Sequence, residues 1–137
     1  MMRVYHKLDR AVPGQTGDSL LIQCSEGPDC QPELQLGREG LYVSISACYG
    51  PLQVALRPHL RDLTSSLAQL RPVEPLSATR VFGTGQAQIE LGQSTNGELL
   101  FRMVIVADAT GHLAVNMVLT SDARASLFEW LGVTGPG

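Results

Sequence analysis

Residues 88–131 decide the fold, and they read QIELGQSTNGELLFRMVIVADATGHLAVNMVLTSDARASLFEWL. This stretch holds apolar segments separated by turn residues, including an Asn96-Gly97 pair that is typical of hairpin turns. Near its end, Thr120 or Ser121 precedes Asp122, an arrangement that caps and stabilises the first turn of a helix. The stretch predicts a hairpin-rich antiparallel sheet closed by a C-terminal helix, and it carries almost no side chains suited to catalysis.

The segment 98–107 is apolar on both of its alternating faces. Leu99, Phe101 and Met103 fall on one face, and Leu100 and Val104 fall on the other. A strand with one face in water alternates between apolar and polar residues, whereas a strand covered on both faces does not. This segment is therefore predicted to be a central strand.

The preceding residues predict a second hairpin and another helix. Residues 41–57 alternate between apolar and polar side chains on either side of turn residues at 49–51. Residues 59–70 place leucines at helical spacing, which predicts an amphipathic helix that packs on a sheet. Residues 1–40 contain glycines and prolines that break regular patterns, so we expect an irregular N-terminal flank or an extra hairpin there.

The predicted order is β-β-α-β-β-β-α after that irregular N-terminal region. Consecutive strands joined by short turns favour an antiparallel meander sheet, so the predicted class is α+β with two helices. With 137 residues and 44% hydrophobic content, the chain is long and apolar enough for a single domain. We expect that domain to span residues 1–137, with its α+β core at residues 41–131.

The composition argues against two partner classes. The formal net charge is −3 and the ten basic residues are scattered, so no basic surface for nucleic acid is expected. No stretch approaches the ~18 apolar residues of a membrane span, and the first residues lack the apolar segment of a signal peptide. Cys24, Cys30 and Cys48 leave one cysteine over from any disulfide, which favours free thiols in the cytoplasm. A Cys24–Cys30 disulfide across a turn stays open.

The histidine, serine and glycine residues of the chain do not form the sequence motifs that are typical of enzyme active sites. His6, His59 and His112 lack metal-ligand spacing, and no G-x-S-x-G nucleophile motif occurs. The Gly-Thr-Gly at 83–85 is followed by a strand pattern, not by the helix that a dinucleotide site requires. We expect no catalytic residues, no metal and no cofactor; a reactive thiol at Cys48 is the enzymatic alternative.

The polar faces of the predicted strands are the expected interaction surface. They carry Tyr42 and Ser44 in one hairpin and Gln86, Gln88 and Glu90 in another. Polar and aromatic side chains on an exposed sheet face suit contact with a protein partner.

Trp130 is a further candidate for contact with a partner. It lies two residues after Phe128 in the last predicted helix, so the two rings cannot both face the sheet. If Phe128 packs inward, Trp130 is available as an interface anchor. The alternative is that its ring covers the edge of its own core.

Five segments carry a resemblance to a known family: Val-Ala-Leu-Arg-Pro at 54–58, the helix pattern at 59–70, Gln-Ala-Gln-Ile-Glu-Leu at 86–91, the strand at 113–119, and Thr-Ser-Asp with the helix at 120–131. In this layout the chain resembles a family of small bacterial immunity proteins of polymorphic, wall-associated toxins. The resemblance covers residues 40–131, and the first 40 residues lie outside it. It implies a domain that binds a toxin domain and covers the toxin's active site, without catalytic residues of its own.

The function predicted from the sequence is a non-enzymatic protein-interaction module, with a toxin as the partner that the resemblance implies. Two other functions stay open. The aliphatic helix and the apolar central strand are also compatible with an α+β domain that binds a small molecule or lipid between them. The chain could instead be a self-assembling structural subunit, with the apolar strand at 99–106 at a homodimer interface.

Overall fold

The computed structural model describes residues 6–24, 32–49, 52–74, 76, 78–82, 87–108 and 111–133. The strands within these residues are β1 His6–Leu8, β2 Arg10–Pro13, β3 Ser19–Gln23, β4 Glu33–Glu39, β5 Tyr42–Tyr49, β6 Leu52–Leu56, β7 Pro72–Val73, β8 Arg80–Phe82, β9 Ala87–Ser94, β10 Leu99–Asp108 and β11 Gly111–Leu119. The helices are α1 Leu60–Ala68, which follows β6, and α2 Ser121–Leu131, which follows β11.

The strands form two sheets, and with the two helices they confirm the α+β class. One sheet, called here the meander sheet, has the order β2-β3-β4-β5-β6 and is antiparallel throughout. The other, called the mixed sheet, has the order β1-β11-β10-β9-β7, and β8 also pairs with β9. It is mixed because β1 and β7 run parallel to their neighbours.

The predicted β-β-α-β-β-β-α meander after an irregular region is wrong. Residues 10–39 hold β2, β3 and β4, which form more than half of the meander sheet. Pro13 in β2 and Gly37 in β4 lower the strand propensity of these two segments, which were not predicted as strands. β2 and β3 form the extra hairpin that was the alternative for this region. Strand formation depends on pairing with neighbours more than on local preference, and β4 pairs on both sides.

The mixed sheet brings the first described strand beside the last one. His6–Leu8 lies parallel to the end of β11, opposite residues 117–119. β7 and β8 come from the connection after α1, which was not expected to hold strands, and both pair with β9. Pro72 is tolerated there because β7 lies at an edge of the sheet. β10 lies between β9 and β11, which confirms the predicted central strand.

Both sheets bury one face in the same aliphatic core. From the meander sheet this cluster includes Leu20, Ile22, Leu34, Leu36, Val43 and Ile45; from the mixed sheet it includes Leu8, Ile89, Leu91, Leu99, Phe101, Met103, Met117 and Leu119. On the opposite face of β10, Leu100 is 0% exposed and Val104 is 8% exposed. The central strand is thus covered on both faces, as its sequence predicts.

The two helices complete the core as the leucine patterns predict. Leu63 and Leu67 of α1 and Leu127 of α2 are buried in the same cluster as the sheets. The Thr120 hydroxyl accepts a hydrogen bond from the first turn of α2, and Gly132 ends the helix at φ 77°, a left-handed conformation that suits glycine. α2 follows a strand of the mixed sheet and contacts β2 and β3, so it ties the two sheets together.

Because the two sheets share one core, we expect Leu34→Ala and Met103→Ala to destabilise the same cooperative unit. Each truncation removes a side chain that is fully buried, so each should lower the free energy of unfolding by about 2–5 kcal/mol. Urea unfolding followed by circular dichroism measures this, with exposed Gln53→Ala as the control. Two separate transitions, one sensitive to each variant, would contradict a shared core.

Candidate functional site

The Tyr42 cluster, defined as Glu39, Leu41, Tyr42, Arg57 and His59, is an exposed group of side chains at one end of the meander sheet. Leu41 is 67% exposed and Tyr42 is 44% exposed, although both are large hydrophobic residues. Leu41 lies in the turn between β4 and β5, and Tyr42 begins β5 on the face of the sheet that points away from the core. An apolar and aromatic surface of this kind is typical of a protein-binding site.

Contacts with its neighbours hold the Tyr42 ring in place. The His59 ring meets it edge-on, with 5.3 Å between ring centroids and an interplanar angle of 68°. The Arg57 guanidinium carbon lies 5.5 Å from the Tyr42 ring centroid, within the range of a cation–π contact. Glu39 accepts from the Arg57 Nε at 3.0 Å and orients the guanidinium. Tyr42 is therefore exposed and also restrained.

Backbone pairing and a helix cap fix the positions of Tyr42 and His59. Tyr42 and His59 form a β-bridge that extends the β5–β6 ladder to the start of α1. His59 is the N-cap of α1, and its Nδ1 accepts a hydrogen bond from the Arg61 N–H at 3.3 Å. One residue therefore both caps the helix and contacts the Tyr42 ring.

A groove lies on the outer face of the meander sheet and reaches Ser44, which is two residues along β5 from Tyr42. Its cavity volume is ≈ 390 Å³, which falls in the range of small-molecule sites. The predicted interaction residue Ser44 lies in its wall, and its hydroxyl is 3.4 Å from the Gly37 carbonyl. A side chain at Gly37 would meet the Ser44 Oγ at 3.0 Å, so glycine keeps this part of the groove open.

The predicted residues Gln88 and Glu90 lie on the other sheet. Both are on the outer face of β9, in the mixed sheet, and are half-buried. Gln86 lies outside the described residues. From the sequence we expected Gln88, Glu90 and Tyr42 to share one polar surface. In the structure, Tyr42 lies on the outer face of the meander sheet, and Gln88 and Glu90 lie on the outer face of the mixed sheet. The structure brings Tyr42 and Ser44 together, and separately Gln88 and Glu90.

Glu90 belongs to a polar row across the mixed sheet. Arg102 on β10 donates from Nη1 to Glu90 Oε1 at 2.8 Å and from Nε to Asn116 Oδ1 at 2.5 Å. The Arg102 side chain is only 11% exposed, and its Nη2 is buried with no hydrogen-bond partner among the described residues. Removing charges from water is costly, so this row depends on its internal partners. We call it the Arg102 row.

Trp130 makes its contacts within the chain. Its indole Nε1 donates to the Gly17 carbonyl at 2.9 Å, and the Arg38 guanidinium carbon lies 5.2 Å from its ring centroid. Arg38 also donates to the Trp130 carbonyl, and the ring packs against the core. These are the contacts of a residue that covers the edge of its own core. Its role as an anchor for a partner stays a prediction.

A second half-buried arginine lies on α2. Arg124 donates from Nη2 to Gln93 Oε1 at 3.5 Å, and its guanidinium carbon lies 4.6 Å from the Phe128 ring centroid. Burial lowers the pKa of the Arg124 guanidinium from its ordinary value. These contacts fix α2 against the mixed sheet, and they add no accessible group to the Tyr42 cluster.

No group of three or more His, Cys, Asp or Glu in the described ranges is placed to hold a metal ion. Cys48 is a half-buried thiol on the outer face of β5. Cys30, and with it the Cys24–Cys30 disulfide, lies outside the described residues, as does the His112 side chain. Among the helices of the described chain, none is long and apolar enough to cross a membrane.

Sequence reasoning missed Arg57, His59 and Arg102 as site residues. The signal that could have found them is hairpin register. With Tyr49 opposite Leu52, the β5–β6 register continues and places His59 opposite Tyr42. The β9–β10 register is centred on Asn96 and places Arg102 opposite Glu90, whereas a two-residue Asn96-Gly97 turn would place Leu91 there.

A scan against protein-family models finds no model that matches the chain, and a search of curated proteins finds no match either.

We expect Glu90→Ala to destabilise the fold because it leaves the Arg102 charge half-satisfied in a buried position. Breaking such a pair from one side costs about 3 kcal/mol of unfolding free energy. The double variant Glu90→Leu with Arg102→Met should recover part of that loss, because neither new side chain needs a polar partner, although the Asn116 Oδ1 loses its donor. Urea unfolding measures both effects.

Glu39→Ala is the matched control for Glu90→Ala. It breaks an ion pair whose side chains are 63% and 49% exposed, so it should cost less than about 1 kcal/mol. Equal losses for Glu90→Ala and Glu39→Ala would show that the Arg102 row has no special dependence on its carboxylate.

Proposed function

We propose that this chain is a non-enzymatic protein-interaction module that binds a protein partner through the Tyr42 cluster. The observation that carries the proposal is that Tyr42 is exposed and yet restrained by His59 and Arg57. Tyrosine and arginine are enriched among the residues that dominate binding energy at interfaces. A ring that is already ordered loses little conformational entropy on binding.

The resemblance described above supports an immunity-type role. In that role the chain binds a toxin domain in the cytoplasm and covers the toxin's active site. Such blocking needs complementary surface and no chemistry in the inhibitor. The exposed Leu41 and Tyr42 beside the groove offer an apolar surface with polar margins, which suits this mode.

The packing of β10 favours a protein partner over self-association through residues 99–106. This strand pairs with β9 and β11, so neither of its edges is free. Its outward-facing Leu100 and Val104 are buried within the chain, so they offer little apolar surface to a second copy.

Binding of a small molecule or lipid is a second candidate, and the groove is the observation that favours it. The site lies on the outer face of the meander sheet and not between helix and sheet. In this case native mass spectrometry of protein purified from its host should detect a bound molecule. Ser46→Leu, which places a larger side chain in the groove wall, should remove it. An unliganded wild-type protein would count against this candidate.

We expect Tyr42→Ala to weaken capture of the protein partner by about 30-fold. This corresponds to about 2 kcal/mol, the threshold usually taken for a dominant interface residue. The measurement is affinity capture from lysate of the native host, with the bound protein identified by mass spectrometry and its affinity then measured on purified material. A stoichiometric partner whose toxic activity is suppressed by the wild-type chain supports the immunity-type role.

Val81→Ala is the matched control for Tyr42→Ala. Val81 is a large hydrophobic residue that is 58% exposed, but it lies on β8 of the mixed sheet. It should leave capture unchanged. Equal capture by Tyr42→Ala and wild type would refute the Tyr42 cluster as the binding site, and capture of general chaperones alone would argue against a specific partner.

A further inference from the structure

The outer strand of the meander sheet has a definite hydrogen-bond register. The pairing of β6 with β5 continues without a shift to the bridge between Tyr42 and His59. Beside this bridge, the Val43 N–H donates to the Pro58 carbonyl at 3.0 Å. Bonded and non-bonded pairs alternate along an antiparallel ladder, so this bond fixes which residues of β6 face β5.

The register leaves a row of backbone groups pointing away from the sheet. Leu52, Val54 and Leu56 occupy the bonded positions opposite β5, and the N–H and C=O groups of Gln53, Ala55 and Arg57 therefore face outward. The side chains of these last three residues are exposed. Within the described part of the chain, no residue hydrogen-bonds to their backbone groups.

Other edges of the two sheets carry the protection that is usual for edge strands. β2 ends in Pro13, which has no N–H, and α2 packs against that strand. In the mixed sheet the edge strands β1, β7 and β8 are only 3, 2 and 3 residues long, so they offer few free backbone groups. β6 reads Leu-Gln-Val-Ala-Leu and contains neither a proline nor a charge. Among the described residues no strand pairs with the outer side of β6, and the one charged residue of this edge is Arg57, directly after β6, so the edge can act as a template for another strand.

We propose that a second copy of this chain pairs with the β6 edge. The two β6 strands run antiparallel about a two-fold axis that passes beside Ala55, so the two meander sheets join into one continuous sheet. The contact is isologous, because the same residues of both copies form it. It does not require the protein partner of the Tyr42 cluster, although Arg57 belongs to both surfaces: its backbone lies at the edge and its side chain contacts Tyr42.

The residues around the axis are complementary to themselves. Ala55 faces Ala55 of the second copy, where a small side chain avoids a clash between identical residues. Gln53 faces Arg57 of the second copy, so an amide lies opposite a guanidinium and no like charges lie directly opposite. Each of these pairs sits at a bonded position and exchanges both of its N–H···O bonds.

An interface of one strand pair is small, so the association is expected to be weak and to depend on concentration. Sedimentation velocity over a range from micromolar to millimolar chain measures it. The wild-type mass should approach twice that of one chain as the concentration rises. Ala55→Pro removes an outward N–H that the single chain does not use, and it should raise the dissociation constant at least tenfold.

Two further variants separate loss of the contact from loss of the fold. Ala55→Lys keeps the backbone N–H but places two like charges across the axis, so it should also raise the dissociation constant. Ala55→Ser keeps the N–H and a small side chain, so it should associate like wild type. Circular dichroism and thermal unfolding confirm that each variant is folded.

Backbone amide exchange on the wild-type chain gives an answer that needs no variant. The amides of Gln53, Ala55 and Arg57 should become protected as the concentration rises, while the Ala11 amide of the opposite edge strand should not change. A wild-type chain that stays monomeric to millimolar concentration overturns the proposal. So does a dimer that persists in both Ala55→Pro and Ala55→Lys.

Discussion

The burial of one aliphatic core between two sheets is the constraint on which the rest of the structure depends. Side chains alternate across a strand, so each strand that sends leucine, isoleucine or valine into this core sends its other side chains to an outer face. Two surfaces result, one on each sheet. Their composition differs because the two sheets are covered differently, and the chemistry available at the surface follows from that difference.

On the mixed sheet, the side chains of the outer face contact one another and stabilise the fold. Leu100 and Val104 are buried there, and the Arg102 row satisfies most of its own charge and hydrogen bonds. On the meander sheet, the outer face keeps a groove and the exposed Tyr42 cluster. A surface that is restrained but not covered suits binding, and this contrast is the basis for the proposal that a protein partner binds the meander sheet.

The sequence predicted the elements whose signals are local. The leucine spacing of α1, the Thr120 cap of α2 and the two-sided burial of β10 are confirmed, because each depends on residues close together in the chain. β2 and β4 were not predicted as strands because Pro13 and Gly37 suggested loops, whereas pairing with neighbouring strands stabilises both segments. Parallel pairing of β1 with β11 joins residues more than a hundred positions apart, which no local pattern encodes.

The candidate site was predicted only in part, for the same reason. Alternation correctly placed Tyr42 and Ser44 on a polar face. It could not show that Gln88 and Glu90 belong to another sheet, because periodicity gives the face of a strand and not the sheet to which the strand belongs. Arg57 and His59 join Tyr42 through the β5–β6 register, which a shift of one residue in the turn would change. The indole contacts of Trp130 with Gly17 depend on how α2 packs across the sheets, and this is a tertiary property.

Hydrogen–deuterium exchange of the chain, free and bound to its captured protein partner, tests the placement of the binding surface most directly. If the partner covers the Tyr42 cluster, exchange should slow at residues 41–46, in β5 and the turn before it, and at residues 57–61, between β6 and the start of α1. Slowed exchange confined to residues 88–104 would place the partner on the mixed sheet and would contradict the proposed function of the Tyr42 cluster.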